Sequence, residues 1–256
     1  MPNIVWPPIE WSVPYTDGRA IIVGFDSGHE WMLQWWYGHY KKHNNYAVYF
    51  ADFGMSAACQ EWCRKNGALI DLRFQCGKCN WFKKPFAILA CKHSKIMWMD
   101  LDCEVRSCLS LLFEYADRGL AVTADPHNPW VKTKDVVASG VVVVKHGNPI
   151  IQQWARSCTA TTLRGDQEVL NQVIQSQRDK VVIMPRECQW LRLDGDNPKA
   201  LIMHWTGPAG KKYIAGQMGA NKVHVISPKI QTGRIRQIKR IRPARSVRSV
   251  RPMHGR

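Results

Sequence analysis

Lys95-Ile96-Met97-Trp98-Met99-Asp100-Leu101-Asp102 is an apolar run that delivers two carboxylates at its C-terminal end. A short apolar run of this kind reads as a buried strand. In open α/β sheets, ligands collect beyond the carboxyl ends of the strands, where the connecting loops leave a crevice. Two acids separated by one residue converge on a single cation when the chain turns just after such a strand. Oxygen ligands suit Mg²⁺ or Mn²⁺, and an imidazole as third ligand tilts the choice toward Mn²⁺. An isolated Asp-x-Asp is commonly a pair of solvated loop acids or helix caps. Its place at the end of an apolar strand singles out Asp100 and Asp102.

Working outward, strand and helix signals alternate. Ala20-Ile21-Ile22-Val23-Gly24-Phe25 is another apolar run, closed by Asp26-Ser27-Gly28. His29 to about His43 reads as helix, and Tyr46 to Phe53 as strand, ending at Asp52-Phe53-Gly54. Ser56 is placed to cap a helix to Asn66, which Gly67 ends. Ala68 to Phe74 reads as strand, and Lys84 to Lys92 as helix with Pro85 at a permitted early position. Further strands are expected at Gly119 to Ala124, Val136 to Val144, Val181 to Met184 and Ala200 to His204. Helices are expected at Asn148 to Cys158 and Asp166 to Gln177. The alternation predicts one α/β domain over residues 19–228, with an irregular lead-in at 1–18 and a basic tail at 229–256.

The 256 residues are 45% hydrophobic and 10% aromatic, the composition of a folded globular protein. No apolar run is long enough to span a bilayer, and the N-terminus lacks the pattern of a secretory signal. Nine scattered cysteines read as buried free thiols, which predicts a cytoplasmic, reducing location. The sharper alternative is a structural zinc site from Cys59, Cys63, Cys76 and Cys79, of which the Cys76–Cys79 pair has knuckle spacing. The net charge is +16, and residues 229–256 hold ten Lys or Arg and no acid, which leaves +6 to the rest. Such a tail is either a binder of polyanions, nucleic acid or anionic lipid, or an inert solvated end.

Four segments, in order, resemble the GT-A glycosyltransferases, in particular the glycogenin-like and galactosyltransferase group called family 8. The Asp100-Leu101-Asp102 strand is one. Val136-Val-Ala-Ser-Gly-Val-Val-Val-Val144 is similar to that group's Asn-Ser-Gly-Val strand. Arg164-Gly-Asp-Gln-Glu-Val-Leu-Asn171 is similar to its Asp-Gln-x-x-Leu-Asn helix start. Met203-His-Trp-Thr-Gly-Pro-Ala-Gly-Lys-Lys212 is similar to its terminal His-Phe-x-Gly-x-x-Lys segment. The resemblance covers roughly Ala20 to Tyr213. Ala138 stands where the family has Asn, and Lys211-Lys212-Tyr213 where it has Lys-Pro-Trp, so the phosphate-binding lysine is either Lys211 or Lys212.

The resemblance implies a single Rossmann-like nucleotide-sugar-binding domain with a mixed sheet. It implies a retaining, metal-dependent transfer of sugar from a UDP-sugar donor to a hydroxyl. Asp100, Asp102 and His204 would hold Mn²⁺ or Mg²⁺. Asp166 would face the sugar, holding hydroxyls or assisting transfer. Lys84, Asp100, Leu101, Ser139, Gly140, Gly207 and Lys211 or Lys212 would meet the donor, with Asp26 and Asp52 toward the nucleoside. Each has a blander reading: a core histidine for His204, a helix-start acid for Asp166, turn acids for Asp26 and Asp52, a solvated helix lysine for Lys84. Trp35-Trp36 and Trp130 are candidates to stack on a sugar or base, against a more ordinary place in the core. The acceptor is open. A modified base in DNA is one alternative, and a nucleic-acid-binding protein without catalysis is another.

Overall fold

Along β2 (Arg19–Phe25), Ala20 and Ile22 enter one apolar layer, and Ile21, Val23 and Phe25 enter another. Both faces of the strand are buried, so its sequence runs apolar without alternation. The computed structural model describes residues 9–10, 18–76, 79–129, 131 and 135–219. Its main sheet has eight strands in the order β1 (Ile9–Glu10), β4 (Ala68–Asp71), β3 (Ala47–Asp52), β2, β5 (Lys95–Met99), β8 (Val141–Lys145), β7 (Leu120–Thr123) and β9 (Val181–Met184). β4, β3, β2 and β5 are parallel, whereas β8 opposes both β5 and β7. The sheet is therefore mixed, as expected. The chain steps outward from β2 to β3 and β4, then returns to lay β5 on the other side of β2. That reversal is a topological switch point, and it opens a crevice at the carboxyl ends of β2 and β5.

One face of the sheet is covered by α3 (Lys84–Ala90), α4 (Pro149–Ala160) and α5 (Asp166–Ile174), through side chains such as Phe86, Trp154 and Leu170. The other is covered by α1 (Leu33–His43), α2 (Ala57–Asn66) and α6 (Gly207–Gln217), through Trp36, Cys63 and Ile214. A second sheet of three strands, β10 (Trp190–Leu191), β11 (Ile202–His204) and β6 (Cys103–Val105), follows the end of β5.

Several expectations shift. Ser56 caps α2 through the Cys59 amide at 3.3 Å, as read. Gly67 ends that helix for a different reason from the one expected. Its φ of 178° is extended, and a Cβ there would lie 2.3 Å from the Val48 carbonyl oxygen, so the residue is small to let two backbones meet. The Ala68–Phe74 strand stops at Asp71, whose carboxylate accepts the Arg73 amide and turns the chain, leaving Phe74 91% exposed. Regular pairing in Val136–Val144 begins only at Val141. Upstream, the Asn171 side chain satisfies both the Val137 N–H and C=O at 2.9 Å, replacing a strand partner. Within the lead-in, Ile9 and Glu10 pair with β4; the rest of it apart from Gly18, and the 229–256 tail, lie outside the described residues.

All nine cysteines are free, and five are buried. Cys79 and Cys108 are exposed, which departs from the expectation of buried thiols. Among the described residues no metal-ligand cluster includes Cys59, Cys63, Cys76 or Cys79, and Cys76 Sγ instead lies 3.3 Å from the Cys158 carbonyl. No helix among the described residues is long and apolar enough to cross a membrane.

Candidate active site

The end of β5 is held on two sides. The Asp100 amide donates to the Gly140 carbonyl at 2.8 Å, and the Trp98 indole N–H donates to Asp100 Oδ1 at 2.7 Å. The chain turns at once, with Cys103 N–H returning to the Asp100 carbonyl at 3.1 Å. It leaves as β6, which pairs antiparallel with β11 so that Cys103 lies opposite His204. The Trp205 amide donates to the Asp102 carbonyl at 2.9 Å. This pairing brings together two residues 102 positions apart, with His204 Nε2 at 3.1 Å from Asp102 Oδ1.

Each aspartate gives one oxygen to a lysine. Asp100 Oδ1 is 3.0 Å from Lys84 Nζ, and Asp102 Oδ2 is 3.1 Å from Lys211 Nζ. The other oxygens, Asp100 Oδ2 and Asp102 Oδ1, turn toward His204 Nε2 at 3.9 and 3.1 Å. Asp102 Oδ1 and His204 Nε2 are a close pair, and Asp100 Oδ2 stands farther off beside the same imidazole; donors of this kind suit Mn²⁺ or Mg²⁺. Cys103 also lies within reach, but burial pushes its thiol well above the ordinary range and keeps it neutral. Burial alone would raise the Asp102 carboxyl. The charges of His204 and Lys211 override it and hold the group below the usual carboxylate range. Burial likewise opposes protonation of His204, yet the Asp102 carboxylate raises its pKa.

Lys84 is no solvated helix lysine. It is 3% exposed, and its ammonium sits between Asp100 and Asp166, 3.0 Å from each, while also donating to the Ser139 carbonyl at 2.9 Å. Burial would lower its pKa, but the two carboxylates raise it above the ordinary lysine range. Asp166 opens α5 and is itself buried; Oδ2 accepts the Ser139 hydroxyl at 2.8 Å. Its pKa is raised by burial, with Lys84 opposing. Gln167 Oε1 accepts the Ser139 N–H, and its amide donates to Asp125 at 2.7 Å. Asp166, Gln167 and Asn171 therefore all fasten the segment 137–139 against α5.

Gln189 was not legible as a site residue. It is 1% exposed, and Oε1 accepts the Thr123 hydroxyl and the Val141 N–H at 3.0 and 3.1 Å. That orientation turns its amide N–H toward His204 Nδ1 at 2.9 Å, so the neutral ring carries its proton on Nε2 and donates it to Asp102. Gly140 makes the arrangement possible, since a Cβ there would lie 2.5 Å from both Gln189 Nε2 and His204 Cε1.

Other expected residues sit apart from this cluster. Asp52 is buried, with Oδ1 accepting the Gly54 and Met55 amides at 2.7 Å, the geometry of a turn acid. Asp26 accepts Gly28 N–H and the Asn80 amide and pairs with His29 at 2.7 Å. Both lie on the same sheet edge as Asp100, but among the described residues no hydrogen bond or ion pair links either to Asp100, Asp102 or Asp166. Leu101 is a buried apolar residue. Gly207 takes φ +76° at the start of α6, a conformation that glycine adopts freely. Lys211 reaches the cluster from α6, whereas Lys212 is exposed. Trp35 and Trp36 are 7% and 0% exposed and belong to the core; Trp130 lies outside the described residues.

No protein-family profile matches the chain, and no curated protein matches it in sequence. Solved structures do match. The glycosyltransferase GlyE of Streptococcus pneumoniae TIGR4 superposes with TM-score 0.59 at 18% identity over 75% of this chain, which spans only 55% of GlyE. The galactosyltransferase LgtC, solved with donor and acceptor sugar analogues, gives 0.56 at 14% identity over 80% of this chain and 97% of its own. Mouse xyloside xylosyltransferase 1 gives 0.50 at 14% identity over 74% of this chain and 97% of its own. Strand order, the switch-point acids and these superpositions agree: the chain has the GT-A glycosyltransferase fold.

Proposed function

We propose that this protein transfers a sugar from a nucleotide-sugar donor, a UDP-sugar by resemblance, to a hydroxyl acceptor. The observation that carries the reading is the approach of Asp102 Oδ1 and Asp100 Oδ2 to His204 Nε2, at 3.1 and 3.9 Å, at the switch point of this fold. Breaking the bond between an anomeric carbon and a diphosphate passes through an oxocarbenium-like state and builds negative charge on the leaving group. When bound by Asp100, Asp102 and His204, a divalent ion supplies positive charge for those phosphates. Lys211 stands beside Asp102 and adds a second positive group on the same side. Gln189 bonds the His204 ring at Nδ1 and so fixes the orientation of the ring, while a bound ion would take the place of the proton on Nε2. Lys84 neutralises Asp100 and Asp166 together and sets the spacing between the phosphate side and the sugar side. Asp166, in the carboxylate form, balances positive charge at the anomeric carbon or holds sugar hydroxyls. Retention at that carbon is carried over from the resemblance.

The test is a screen of nucleotide sugars for hydrolysis by the full chain with and without Mn²⁺. One donor is expected to be hydrolysed in a Mn²⁺-dependent way, and Asp102→Ala is expected to abolish this while the fold survives. Wild-type rates in Asp102→Ala with Mn²⁺ supplied would remove the metal-site reading.

A further inference from the structure

Cys103 lies outside every role assigned above, yet it belongs to the tightest group of ligating atoms among the described residues. One such atom from each of Asp102, Cys103 and His204 lies within 4.8 Å of the other two. All three residues are buried, so they are not solvated surface groups. The fold builds the group. Cys103 opens β6 and stands directly opposite His204 of β11, and residues paired in this way put their side chains on one face of a sheet. Asp102 ends the turn before β6 and reaches the same imidazole at 3.1 Å.

A carboxylate oxygen, a sulfur and an imidazole nitrogen are the donors of a zinc site. With Zn–S near 2.3 Å and Zn–N and Zn–O near 2.0–2.2 Å, three donors of one tetrahedral ion lie about 3.3–3.6 Å apart, so side-chain shifts of about 1 Å close the group on an ion. Charge points the same way. Asp100, Asp102 and Asp166 face the ammoniums of Lys84 and Lys211. Three carboxylates against two ammoniums leave one positive charge in excess once a dication enters, and excess charge in a buried site is costly. Loss of the Cys103 proton removes that excess. By itself the buried thiol keeps its proton, but an ion that bonds sulfur takes the proton's place. Mn²⁺ stands lowest in the first-row affinity order and suits oxygen donors, whereas zinc takes thiolate.

We infer that Asp102, Cys103 and His204 form a thiolate-containing Zn²⁺ site, which takes Zn²⁺ in preference to Mn²⁺ when no nucleotide is bound. As the ion binds, the Cys103 S–H bond breaks, the sulfur gives its electron pair to zinc, and one proton leaves to solvent. The site shares Asp102 and His204 with the sugar-transfer reading but does not require it. Where both hold, Zn²⁺ occupies two ligands of the Mn²⁺–diphosphate complex and inhibits transfer.

The experiment is optical spectroscopy of the full, reduced chain with Co²⁺ as the visible stand-in for Zn²⁺, together with calorimetry of Zn²⁺ alone and of Mn²⁺ with UDP. Co²⁺ is expected to give a sulfur-to-cobalt charge-transfer band and the intense visible bands of a tetrahedral site, which Zn²⁺ bleaches and equimolar Mn²⁺ does not. Cys103→Ala should abolish the charge-transfer band. It should also weaken Zn²⁺ binding by at least the roughly 10–100-fold typical of losing even an outer-shell partner. Mn²⁺–UDP binding should stay as in the wild type. Cys103→Ser, which keeps the volume, replaces the alanine variant if that one does not fold. Cys59→Ser and Cys79→Ser should keep the band. No charge-transfer band, a band that survives loss of Cys103, or equal losses of Zn²⁺ and Mn²⁺–UDP affinity overturns the inference. If wild type binds Mn²⁺ with UDP but shows no such band, the zinc site fails and the donor site stands. If the band depends on Cys103 while Mn²⁺ and UDP do not bind, the zinc site stands and the donor reading fails.

Discussion

Lys84→Met is the substitution that most directly tests how the site is balanced. Methionine keeps the length and packing of the stem and removes only the charge. The ammonium now lies 3.0 Å from both Asp100 and Asp166 and bonds the Ser139 carbonyl, with 3% of the residue exposed. Removing one member of a buried, hydrogen-bonded ion pair leaves an uncompensated charge and costs about 3–5 kcal/mol. The loss is bounded because Asp166, whose pKa burial already raises, relieves the remaining repulsion by taking up a proton. For a domain of this size, each 1 kcal/mol moves the melting temperature by about 2–4 °C, so a fall of roughly 6–20 °C is expected. Urea unfolding of wild type, Lys84→Met and Lys84→Met/Asp166→Asn measures it. The double variant should be more stable than Lys84→Met by at least about 1 kcal/mol, because one of the stranded carboxylates is gone. A single-variant loss below about 1 kcal/mol, or a double variant no better than the single, would refute the reasoning that Lys84 is the counter-charge of both acids.

Gly140→Ala should displace the Gln189–His204 pair, because its Cβ meets both at 2.5 Å. A destabilisation of about 1–3 kcal/mol together with weakened Mn²⁺ binding is expected, and unchanged Mn²⁺ affinity by calorimetry would contradict it. Asp102 has a folded pKa below its unfolded value, so the unfolded state binds the extra proton between the two and stability climbs with pH through that window. Its contribution is fully present above the unfolded value of about 4 and is lost as pH falls through the folded one. Asp102→Asn should therefore flatten the acid limb of the stability–pH curve; an unchanged limb counts against the pairing with His204 and Lys211. Removing residues 229–256 takes away ten positive charges. If these engage five phosphates, the slope of log affinity for duplex DNA against log salt should fall by roughly four to five. An unchanged slope would mark the tail as an inert end.

The strand from Lys95 to Met99 and its two acids were legible because burial on both faces leaves an uninterrupted apolar run, and the chain must expose its charges where the run ends. The convergence of His204 on Asp102 was not legible from residue types alone, since it depends on β6, a strand of three residues with no pattern of its own. It came from resemblance, and the pairing of Cys103 with His204 supplies its physical cause. Lys84 was singled out only through the resemblance, because sequence shows a charge and not the two carboxylates that fold over it. Gln189 left no signal, for its role rests on Gly140 lacking a side chain across the sheet. The tryptophans point the same way. The adjacent pair Trp35-Trp36 drew notice but is core, whereas Trp81, unremarked in sequence, is the half-exposed ring beside Asp166.

The central claim is that Asp100, Asp102 and His204 hold a divalent ion which shares one site with a nucleoside diphosphate. Thermal unfolding of the wild-type chain with Mn²⁺ alone, UDP alone and both together tests it most directly. A ligand that binds only the folded state stabilises it by about 2.7 kcal/mol at a hundred times its dissociation constant. Two ligands that meet in one site should together raise the melting temperature by clearly more than the sum of their separate effects. Independent, additive shifts, or no shift from the pair, would contradict the account.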